Sequence, residues 1–122
     1  LGVESYLNKL NWSNPWSAGG QFSSLCVYAK TQQFPFLDNL ENFSNKILDP
    51  ETGSYFRDNP VSSREIINGA MKIISGLDWI DVPIHKPKNL IDFWTTLKMF
   101  LFMSGKKILK LRLFYLAIAL VD

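Results

Sequence analysis

Asp49, Glu51 and Asp58 are the residues of this chain whose type and spacing best suit acid–base chemistry. They crowd around one turn, Asp49-Pro50-Glu51-Thr52-Gly53. Glycoside hydrolysis needs two carboxylates facing one pocket, one as acid and one as base or nucleophile. The plainer reading is turn formation and solvation, with Asp49 bonding ahead, Pro50 presetting φ and Gly53 supplying a left-handed position. Calcium binding over 49–58 fits less well, because the spacing is not that of an EF-hand loop. Asp78 and Asp81 flank Trp79 in a comparable way. His85 stands between Pro83 and Pro87, beside Lys86, and would need an oriented partner to move a proton. Trp16, Tyr55 and Trp79 belong to an aromatic set of the kind that walls sugar or isoprenoid pockets, with core and interface packing as the alternative. The candidate ligand-binding residues are therefore Trp16, Asp49, Glu51, Tyr55, Asp58, Trp79 and His85. None is assigned a catalytic role.

Composition narrows the classes of chemistry. One cysteine and one histidine exclude a disulfide framework and a multi-Cys or His-rich metal site within a single chain, so no metal and no cofactor is expected. Cys26 falls on an apolar helical face and reads as a buried structural thiol. Gly19-Gly20 and Gly53 form no phosphate loop, since no Gly-Lys-Ser/Thr follows. The 122 residues are 47% hydrophobic and 20% charged, enough for one domain with a real core and too apolar for disorder. The net charge of +2 predicts no nucleic-acid partner. That charge is divided, with residues 1–92 carrying −2 and residues 93–122 carrying +4. Residues 97–122 thus stand apart as a basic, apolar C-terminal segment. A lone cysteine, and no basic-then-apolar export pattern over residues 1–18, predict a cytoplasmic setting.

The elements that must position these residues read as helices. A short helical turn is expected over 4–10. Ser17 marks the start of a helix to about residue 30, with Phe22, Leu25, Cys26 and Ala29 at i, i+3, i+4 and i+7. A second helix over about 36–48 follows Pro35, with Leu37, Leu40, Phe43 (or Ser44), Ile47 and Leu48 on its apolar face. Ser62-Ser63-Arg64-Glu65 reads as a capping box, with Ser62 as cap and Glu65 reaching back to it. The helix behind it carries Ile66, Ile67, Ala70, Ile73, Ile74 and Leu77, with Gly76 as its expected stop. Gly69 in its middle costs about 1 kcal/mol of helix propensity, for which close packing is the expected compensation. Another helix runs from Pro87 to about 103. Residues 113–121 are a continuous apolar run that suits helix or strand, with helix favoured by the elements before it.

Two helix pairs, over 17–48 and 62–103, place Gly20 and Gly69 forty-nine positions apart, which suggests an array of helical hairpins. Three stretches carry a resemblance. They are Asn14-Pro15-Trp16-Ser17-Ala18-Gly19-Gly20, Ile47 through Phe56, and Ile67-Asn68-Gly69-Ala70-Met71-Lys72. Together they are similar to the α/α-toroid repeat of the terpene-cyclase and prenyltransferase-like superfamily. There an outer helix ends in a turn with an acid, a glycine and then an aromatic. The resemblance spans about residues 14–95 and implies an all-α fold of two to three antiparallel helical hairpins, part of a toroid. The chain departs from the family by lacking the upstream glutamine and the tryptophan of the full motif, the Asp-x-Asp-Asp acid run and the zinc ligands. No catalytic residue therefore carries over.

The expectation is one domain over 1–122 that acts as an interaction or assembly unit and self-associates, as a dimer. Two or three hairpins leave apolar faces that need covering. The alternatives are a toroid that binds or processes carbohydrate or isoprenoid, and attachment to a membrane surface through residues 97–121. The last is possible but not favoured. Spanning is excluded for that segment by Lys106, Lys107, Lys110 and Arg112.

Overall fold

The computed structural model describes residues 2–58 and 62–104, and the side chains up to residue 96. The expected apolar run over 113–121 lies outside the described residues. Within them the fold is all-α. Its helices are α1 (Gly2–Lys9), α2 (Pro15–Gln32), α3 (Leu37–Ile47), α4 (Ser63–Trp79) and α5 (Pro87–Ser104). An isolated antiparallel bridge joins Leu48 to Tyr55 across the turn between them.

The helix ends follow local chemistry. Pro15 begins α2 two residues ahead of the expected start, because its missing N–H and fixed φ suit the first helical position. The helix stops where Gln33 turns left-handed at φ 55°. Ser62 caps α4, its hydroxyl accepting from the Glu65 N–H at 3.2 Å. The reciprocal half of the expected capping box is replaced by a tertiary contact, since the Glu65 carboxylate instead accepts from the Trp16 N–H at 3.1 Å. Gly76 does not stop α4, which continues to Trp79. Its role is packing.

That packing is the α2–α4 contact. A Cβ on Gly69 would lie 2.5 Å from the Pro15 Cβ, and one on Gly76 would lie 2.9 Å from the Ser23 Cα. A Cβ on Gly19 would lie 3.1 Å from the Gly69 carbonyl oxygen, while Gly20 faces open space. Contacts advance in the same direction along both helices, from Pro15 at Gly69 through Ser23 at Gly76 to the Lys30–Asp81 ion pair. The two helices are therefore parallel. The helix propensity lost at Gly69 and Gly76 is offset by close contact with α2, as expected for Gly69.

The main core joins Phe22, Cys26 and Ala29 of α2 to Leu40, Phe43 and Ile47 of α3, with Ile73 and Leu77 of α4. Leu7, Trp12 and Tyr55 close it from the connecting segments and α1. Trp12 packs its ring 5.4 Å from that of Phe43 and donates its indole N–H to the Leu7 carbonyl at 2.8 Å. A second cluster joins Ile67 and Ala70 of α4 to Leu90 and Trp94 of α5. Leu37, expected on the apolar face of α3, is exposed instead. It is the first residue of α3, on the same side as the buried Leu40 and Ser44 but at the helix end, where the packed stripe runs out.

Candidate functional site

The 49–55 turn is built almost wholly by its own residues. The Asp49 carboxylate accepts from the Thr52 N–H at 2.9 Å and from the Thr52 hydroxyl at 2.7 Å. The Asp49 carbonyl accepts from the Gly53 N–H at 2.8 Å. Gly53 holds φ +76°, and a Cβ there would lie 2.8 Å from both the Leu90 nitrogen and the Lys86 oxygen. Asn89 donates to the Pro50 carbonyl at 2.8 Å, and the Ser54 hydroxyl to the Ile66 carbonyl at 2.8 Å. The turn thus anchors the starts of α4 and α5.

This architecture commits Asp49 to structure. Glu51 and Asp58 are exposed, and Asp58 sits at φ +66°. The Asp49 carboxylate is turned onto Thr52 rather than toward the other two acids. The paired-acid arrangement that the sequence suggested has no geometric support from these side chains.

Two candidates do meet. Tyr55 is fully buried, and its hydroxyl shares a 2.9 Å hydrogen bond with Nδ1 of His85, thirty residues away. Their rings meet edge-on at 5.7 Å. Burial pushes the Tyr55 phenol up to about 12, against a small opposing effect of the His85 contact. Burial also pushes His85 below its ordinary 6.5, with the Glu41 carboxylate pulling the other way. Both groups are therefore neutral near pH 7, and the pair fastens the 80–86 connection to the core. Burial also raises the Cys26 thiol to about 12, which leaves it protonated and a poor nucleophile.

The His85 shift has a definite sign. A depressed folded-state value means that the unfolded chain takes up protons first. The stability contributed by neutral His85 is present above about pH 6.5 and is lost as pH falls through the lower folded value. Lys46, through its hydrogen bond and charge, holds Glu4 below the usual range, so that pair is lost at still lower pH. Urea midpoints of the natural chain should fall between about pH 7 and 5, and His85→Gln should flatten that slope. An unchanged slope would contradict the assignment.

Trp16 belongs to a different place. Beside it, Asn14, Ser17, Gly20, Glu65 and Lys72 line an open groove of about 570 Å³ between α2 and α4. The Arg64 guanidinium lies 6.0 Å from the Trp16 ring centroid. None of the turn acids lines this groove. Trp79 ends α4 with half its surface in solvent. The seven candidates thus fall on four separate places rather than one. Sequence periodicity carries no signal for the Tyr55–His85 or Trp16–Glu65 contacts.

Among the described residues, no group of three or more His, Cys, Asp and Glu side chains is placed to hold a metal ion. No described helix is long and apolar enough to cross a membrane. Comparison of the chain with protein-family models, curated proteins and solved structures finds no match in any of the three.

Large apolar side chains do gather elsewhere. Among the described residues, Tyr28, Phe34, Leu37 and Trp79 are four of the six exposed ones, at 50%, 40%, 36% and 49% exposure. The parallel course of α2 and α4 puts all four at one end of the molecule. Tyr28 and Phe34 stack with ring centroids 4.9 Å apart, and Phe36, half-buried against the main core, continues the ladder with a tilted ring at 5.6 Å.

Proposed function

We propose that this chain is a helical interaction unit that self-associates as a homodimer. The aromatic ladder at the α2–α3 end carries the reading. Isolated exposed apolar residues are ordinary, but stacked rings that remain in water mark a contact surface. Tyr, Trp and Phe dominate the well-packed centres of protein interfaces. Among the described residues the Asp49 carboxylate is held by Thr52, and His85 by Tyr55, at separate places.

Parallel α2 and α4 support a further part of the proposal, that α2–α3 and α4–α5 are two hairpins set side by side, as in a toroid fragment. A cytoplasmic setting belongs to the same proposal and fits a buried, free Cys26. Light scattering on the eluting chain tests the reading. The expected mass is about 28 kDa, twice the 14.0 kDa chain. A single species at the chain mass up to about 100 μM would refute it, since any dimer would then be weaker than ordinary functional assemblies.

A further inference from the structure

We infer that the surface at the α2–α3 end is covered by the basic, apolar segment 105–121 of a second copy. This rests on the self-association proposed above and names its contact. The surface combines the Tyr28–Phe34–Phe36 ladder and Leu37 with two exposed carboxylates, Asp38 and Glu41, from the first turns of α3. Neither carboxylate has an ion-pair partner among the described residues. Lys30, in the last turn of α2, is engaged with Asp81 at 3.0 Å. The end is therefore apolar with a negative rim that carries no ion pair among the described residues.

Segment 105–121 has the matching composition. It holds twelve apolar residues and four cations, Lys106, Lys107, Lys110 and Arg112, with no acid. The same division of charge runs through the whole chain, −2 over residues 1–92 against +4 over residues 93–122. Leucines and aromatics of the segment would cover the ring ladder, and its cations would answer Asp38 and Glu41. Such complementarity steers encounter and fixes orientation. Exchange between two copies is reciprocal, each giving one segment and receiving one, which closes the dimer by two-fold symmetry.

The test uses two full-length variants. One carries Phe34→Ser and lacks the centre of the surface. The other carries Lys106→Glu, Lys107→Glu and Lys110→Glu and lacks the matching charge. Sedimentation equilibrium should show each weakening its own homodimer by about tenfold or more. Mixed in equal amounts, they should form a heterodimer visible by native mass, because one intact segment meets one intact surface. Tyr28→Ser, with an unchanged melting temperature, guards against a Phe34→Ser chain that merely unfolds. A natural chain that dimerises while both variants dimerise equally well overturns this contact and leaves self-association standing. Weakened variants that fail to complement place the segment on its own chain and also overturn it. A monomeric natural chain removes the proposed function itself.

Discussion

Gly69→Val is expected to lower the stability of the chain by about 2–3 kcal/mol, the upper part of the range for forcing extra methyl groups into a filled contact. A Cβ at this position would lie 2.5 Å from the Pro15 Cβ and 2.9 Å from the Pro15 carbonyl carbon. The second of these is backbone, at the first residue of α2, where the proline ring fixes φ and limits relief by rotation. Replacing glycine in a helix would on its own return a fraction of a kcal/mol. The clash outweighs that gain because both helices must separate to admit the side chain. Gly20 supplies the internal control. It lies one position past Gly19 in α2, and a Cβ added there would meet nothing within 4 Å. Gly20→Ala should therefore stabilise the chain, by about 0.5–1 kcal/mol. Urea denaturation of both variants reads the difference. Equal effects of the same sign would contradict the parallel, glycine-mediated α2–α4 contact.

Tyr55→Ala is expected to cost about 3–5 kcal/mol, as for removal of any large aromatic ring from a filled core. The ring has no exposed surface and joins the cluster made by α2, α3 and α4. Its loss also removes the partner of His85 Nδ1. Tyr55→Phe separates the two contributions. It keeps the ring and deletes one hydrogen bond, so it should cost about 1 kcal/mol. A Tyr55→Phe variant as unstable as Tyr55→Ala would show that the His85 bond, rather than the ring, holds the 80–86 connection.

The helices are legible because their faces and ends are written locally. Ser62 three residues ahead of Glu65 marks the start of α4, and Pro87 marks the start of α5. The buried spacing of Leu40, Phe43 and Ile47 marks α3. What stays hidden is which face meets which helix. Gly76 looks like a helix stop in one dimension, and only the approach of Ser23 and Cys26 explains a glycine there. Two hydrogen bonds, Trp16 with Glu65 and Arg57 with Asn8, join residues forty-nine apart, while Gly20 itself faces open space. Gly69 itself meets Pro15 and Gly19. The candidate site is less legible still. Carboxylates clustered in sequence resemble catalytic partners, yet a tight turn uses the nearest of them for its own backbone. Tyr55 and His85 become neighbours only through the return of the chain after α4, which no local pattern records.

Hydrogen exchange at two protein concentrations tests self-association through the α2–α3 end most directly. Backbone amides exchange more slowly where a contact holds their hydrogen bonds closed. Raising the concentration from about 1 μM to 100 μM should populate a micromolar dimer. Amides over 28–41 should then gain protection, while those along the exposed side of α4 between residues 63 and 75 should not change. Protection that is independent of concentration, or that grows on α4 instead, would contradict the assignment of this end as the contact surface.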